Sequence, residues 1–142
     1  MKHSYSVKLP ASLVALTLLS GAAIAQTTKV DLGKREFDAS CAVCHGTSGK
    51  GNGPYVEFLK RSPTDLTTMA KRNGGVFPVN RTYETIEGAN VPGHGSRDMP
   101  IWGNDYRIQA GEYFVDAPYN PEAYVRSRIL ALVEYINRLQ ER

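Results

Sequence analysis

Cys41-Ala42-Val43-Cys44-His45 is the stretch that organises the rest of the sequence. It holds both cysteines of a 142-residue chain and one of its three histidines. Two residues between the cysteines bring both sulfurs to the same side of a helical turn, and the next residue adds an imidazole beside them. Four chemistries use such a pair. A plain disulfide across C-x-x-C suits a chain exported from the cytoplasm. A thioredoxin-like dithiol wants a surrounding βαβ pattern, and none is present. A structural zinc site needs two further ligands, while the remaining histidines are only His3 and His94. The fourth, C-x-x-C-H as the attachment signature of haem c, uses all three chemical residues at once. Each thiol adds to one vinyl group along one edge of the haem, and the imidazole of His45 faces the iron as proximal ligand.

Upstream of this motif the chain opens as an export signal. Lys2 and Lys8 form a positive start, residues 11–22 are mostly apolar, and Ala23-Ile24-Ala25 is a small-x-small cleavage site ahead of Gln26. The sequence therefore predicts a signal peptide over 1–25, a periplasmic location and one domain over 26–142. The leader carries two lysines and no acid, so the remaining 117 residues hold 15 basic and 14 acidic side chains, a net of +1. That balance offers no dense basic patch for nucleic acid. No apolar run reaches the ~18 residues of a membrane span.

The sixth iron ligand has to come from further along. Met99 precedes Pro100, which biases it to an extended, loop-like backbone able to cross the haem face. Met69 sits in a short helical run, where a packing role suits it better, and it lies closer in sequence to His45. Met99 is therefore the expected ligand, with Met69, His94 or an open site as the alternatives. His94, between Gly93 and Gly95, reads as a solvated loop histidine, with ligand exchange as the sharper possibility.

The remaining pattern is all-helical with long loops. A first helix is predicted over 31–41, with Gly33 and Phe37 on one face. A glycine-rich loop follows over 46–54, its small residues suited to wrapping a haem edge. Short helices are predicted over 55–61 and 65–72. A further one over 81–87 is capped by Asn80 and closed by Gly88. Residues 89–102 form the loop that carries Met99, and residues 103–119 are polar and tyrosine-bearing without a clear period. Asn120-Pro121-Glu122 starts a last helix that runs to about Leu139, with apolar positions recurring at three and four.

Together these residues resemble the class I (mitochondrial-type) bacterial monohaem cytochromes c over about residues 30–140. Gly33 and Phe37 ahead of the motif, and Leu132-Val133-Glu134-Tyr135 near the end, match the crossed helices of that family. The resemblance implies an all-α class I cytochrome c fold around one covalently bound haem, with thioethers at Cys41 and Cys44 and axial ligands His45 and Met99. It also implies a Pro54 carbonyl accepting from the proximal histidine. Trp102 and Tyr83 are candidate propionate or haem-edge contacts, with simple packing as the alternative. The implied role is an electron carrier rather than an enzyme, passing single electrons between a redox protein donor and acceptor, either as a monomer or as a subunit docked on a periplasmic dehydrogenase or oxidase. Tyr106, Tyr113, Phe114 and Tyr119 either pack within their own loop or form a docking face. Peroxidase-like or gas-binding chemistry is expected only if the sixth site is open. The chain departs from the family in the length of 103–119 and in lacking an obvious ring of lysines.

Overall fold

The computed structural model describes His3, residues 29–88 and residues 99–141. Apart from His3, the expected leader over 1–25 lies outside the described residues, as does His94 with the loop segment 89–98. All regular elements among the described residues are helical.

The first helical run is longer than its apolar pattern suggested. Asp31 caps α1 (Leu32–Glu36) by accepting from the Lys34 amide at 2.9 Å. The helix continues through a π turn, Phe37–Cys41, into α2 (Ala42–His45). Each π ring holds one residue more than an α ring. The extra residue rotates the C-x-x-C-H turn relative to the face that carries Gly33 and Phe37.

That face meets α6 (Pro121–Arg138), the helix around which the core is built. A methyl group on Gly33 would lie 2.1 Å from the carbonyl oxygen of Ala131, so the two backbones touch. Beside this contact Phe37, fully buried, packs its ring 5.1 Å from that of Tyr135. Val125, Ile129 and Leu132 complete the buried stripe of α6. The Glu36–Arg128 ion pair crosses the same helix pair. Asn120 starts α6 as expected, its Oδ1 accepting from the amides of Glu122 and Ala123 at 3.0 and 3.3 Å. Asn120→Ala should therefore cost about 1 kcal/mol. Urea unfolding of the holoprotein would show this as a lowered midpoint at unchanged slope.

Several expectations are corrected. Residues 103–119, without a clear period in sequence, contain α5 (Trp102–Tyr113). Its buried stripe is Gly103, Tyr106 and Ala110, two of them too small to register as hydrophobic. α4 (Val79–Glu87) begins two residues earlier than expected: Pro78 stands at the cap, its carbonyl accepting from the amide and hydroxyl of Thr82, and Asn80 lies inside the helix. Gly88 does close α4, with φ of 84°. The helix expected over 65–72 shrinks to α3 (Met69–Arg72), because the Asp65 carboxylate takes the Thr67 amide and hydroxyl at 2.8 and 2.7 Å and holds a turn instead. The helix expected over 55–61 is one 3₁₀ turn, Val56–Phe58, ended by extended backbone at Leu59.

Candidate functional site

The motif sits at the end of the first helical run. Cys41 is buried at the close of the π turn, while Cys44 and His45 are half-buried in α2. Both cysteines are free thiols in this structure, without a bond between them. Burial, with Cys44 as a neighbour, pushes the Cys41 thiol up to about 12, so it stands protonated among apolar groups.

A helix end leaves carbonyl groups without intrahelical partners. Here the glycine-rich loop supplies their donors. The amides of Gly51, Gly53 and Tyr55 donate to the carbonyls of His45, Cys44 and Val43 at 2.8, 3.0 and 3.0 Å. A side chain on Gly53 would lie 2.4 Å from the Val43 oxygen. The reason for glycine at Gly53 is thus close approach to the motif's own backbone, where the sequence suggested a haem edge.

His45 Nδ1 lies 3.0 Å from the Thr64 carbonyl oxygen. A ring that donates from Nδ1 presents Nε2 as its acceptor nitrogen. The acceptor differs from the one implied by resemblance, the Pro54 carbonyl. Pro54 is exposed, and its neighbours Gly53 and Tyr55 are tied to Cys44 and Val43, so that part of the loop runs along the motif backbone. Thr64 immediately precedes the turn that Asp65 holds.

Of the expected haem-edge contacts, Tyr83 on α4 and Trp102 at the start of α5 are half-buried and pack against the core cluster that includes Cys41. Met69 packs against the same cluster. Met99 is half-buried at a bend just ahead of Pro100 and α5. Tyr106 is 1% exposed, in one core cluster with Phe37 and Cys41, so of its two readings the self-packed one holds. Phe114 stacks on Tyr119 at 3.8 Å and meets Tyr113 and Tyr124 edge-on at 4.8 and 5.7 Å, with Tyr113 the most exposed ring of the four.

A family model described as cytochrome c matches residues 30–140. The chain belongs to the cytochrome c family. No curated protein and no solved structure matches it. Membership makes this cytochrome a haem-based electron carrier with one covalently attached haem c, and its all-helical architecture is that of the family, consistent with class I. The residues present fit the group. The Tyr106 hydroxyl is the one buried side-chain polar atom without a hydrogen-bond partner among the described residues, and it stands in the core cluster of Cys41. Leaving such a group unsatisfied costs about 1–3 kcal/mol, which a polar atom of a buried haem assembly would offset. Sequence reading named this residue without placing it beside Cys41, because it sits in a stretch without a clear period. It missed Thr64 because a carbonyl has no side-chain signal. Redox partners follow from the family in general, and no helix among the described residues is long and apolar enough to cross a membrane.

Proposed function

We propose that this cytochrome is a periplasmic one-electron carrier in which Cys41 and Cys44 hold the haem by thioether links and His45 and Met99 ligate its iron. One observation carries the reading: the two thiols and the imidazole share one helical turn, and the ring already has a carbonyl at Nδ1. When bound, haem c would supply one-electron Fe(III)/Fe(II) cycling, with His45 and Met99 as the residues that would hold its iron. The protein supplies the rest. Thr64 fixes the tautomer that turns Nε2 toward a metal and makes it a better donor. A methionine sulfur at the sixth position favours the reduced state, and the apolar groups around Cys41 disfavour charge at the centre. The positive start and small-x-small site over 1–25 support export, the setting in which haem c is attached.

The test is production with a cytochrome c maturation system, followed by fractionation and haem staining after denaturing electrophoresis. The expected result is a periplasmic stained band whose N-terminus is Gln26. Cys41→Ala with Cys44→Ala in one chain should lose the stain completely. Wild-type protein that carries no covalent haem overturns the proposal.

A further inference from the structure

We infer that Gln140 is a positioning residue for the proximal histidine, acting through the segment that presents the Thr64 carbonyl. The inference rests on His45 as the iron ligand.

The segment after Thr64 is gripped from two sides. On one side the Leu66 amide donates to the Gly49 carbonyl at 2.7 Å, inside the loop that folds back on the motif. On the other side stands the end of α6. The Gln140 side chain spans the gap with three hydrogen bonds. Its Nε2 donates to the carbonyls of Leu66 and Ile136 at 2.7 and 2.8 Å, and its Oε1 accepts from the Ala70 amide at 2.8 Å. The bond to Ile136 anchors the side chain on α6, the other two reach across, and the Glu141 amide adds a third link, to the Thr67 carbonyl at 2.8 Å. The chain between these anchors is short. Thr64 is two residues from Leu66, and its carbonyl is the one at His45 Nδ1.

The amide is the chemistry this position needs. Two carbonyls face its nitrogen and one N–H faces its oxygen, so only a group with both donor and acceptor satisfies all three. A glutamate could accept from Ala70 but would set its carboxylate against the two carbonyls. A methionine fills the space and makes none of the bonds. These backbone groups are part-buried, so the lost bonds are only partly replaced by water. Held at the end of α6 by the Glu141 amide alone, the 64–70 segment would let the Thr64 carbonyl drift from the ring. The protein would then hold the Nδ1 proton less firmly and the iron–imidazole bond would weaken as a donor.

The measurement is hydrogen–deuterium exchange of the His45 Nδ1 proton by NMR on oxidised holoprotein, with the reduction potential followed against pH. Gln140→Met and Gln140→Glu should each speed that exchange at least tenfold, Gln140→Glu more, while the amides of α1 and α5 keep their protection. Gln140→Met retains length and packing, so it remains informative if Gln140→Glu fails to fold. Unchanged Nδ1 exchange in Gln140→Met overturns the role of Gln140, as does an equal acceleration at α1 and α5, which marks a general loss of stability. A wild-type holoprotein whose His45 ring shows no paramagnetic shift overturns the ligand reading itself, before any variant is compared.

Discussion

Gly33→Ala should destabilise the protein by about 2–3 kcal/mol, although alanine is the better helix former by about 1 kcal/mol. The new methyl would lie 2.1 Å from the Ala131 carbonyl oxygen and 2.9 Å from the Tyr135 Cβ. Neither is the far end of a flexible side chain. The first belongs to the backbone of α6 and the second to the root of a buried tyrosine, so the clash is relieved only by moving α1 and α6 apart. That movement opens the contact between Phe37 and Tyr135, which lies beside Cys41 in the core. The control is the same substitution on α5. Gly111 is exposed and has nothing within 4 Å of a built Cβ, so Gly111→Ala should raise stability by up to about 1 kcal/mol. Urea unfolding of the two variants should move the midpoint in opposite directions. A Gly33→Ala protein as stable as the parent would mean that the helices do not cross this closely.

The Gly33 contact was legible in the sequence because its parts are local. A glycine four residues before a phenylalanine, and an apolar stripe at three and four in the last helix, each announce one face of a helix. The motif was legible for the same reason: its sulfurs and its imidazole are five consecutive residues, with no long-range geometry to infer. α6 was read from its cap onward, since Asn120 and Pro121 are strong local signals. What escaped is what depends on partners far along the chain. α5 hides its buried face behind Gly103 and Ala110, which carry little hydrophobic surface. The helix expected over 65–72 lost its first turn to a side-chain competition, in which the Asp65 carboxylate takes the Thr67 amide. The acceptor for His45 Nδ1 moved from Pro54 to Thr64, a change made by main-chain carbonyls alone. Gln140 was invisible, because a single glutamine after a helix means nothing until the two carbonyls and the amide around it are known.

Met99→Ala should have the largest effect on the redox chemistry. Axial ligand identity moves haem potentials over a range of about 0.8 V, so exchanging a sulfur ligand for water or nothing should lower the potential by on the order of 0.1 V or more. The oxidised parent should show a sulfur-to-iron charge-transfer band. Met99→Ala should abolish it and let the ferrous protein bind carbon monoxide at an opened position. Met69→Ala should keep the band. Met69 begins α3 and packs against the core cluster, so its loss should appear instead as about 2 kcal/mol of stability, at the low end for a methionine that is only half-buried. The opposite pattern, a band that survives Met99→Ala and vanishes in Met69→Ala, would reverse the assignment. A parent without the band divides further: sensitivity of its spectrum to His94→Ala points to a second imidazole, and carbon monoxide binding without any substitution points to an open site. The position of Met99 gives the first outcome its physical basis. It stands at a bend before Pro100, which cannot donate an amide, and α5 begins at Trp102 immediately behind it. A thioether presented from a short segment anchored by a helix can reach across a haem face and stay there through both oxidation states, as an electron carrier with little reorganisation requires.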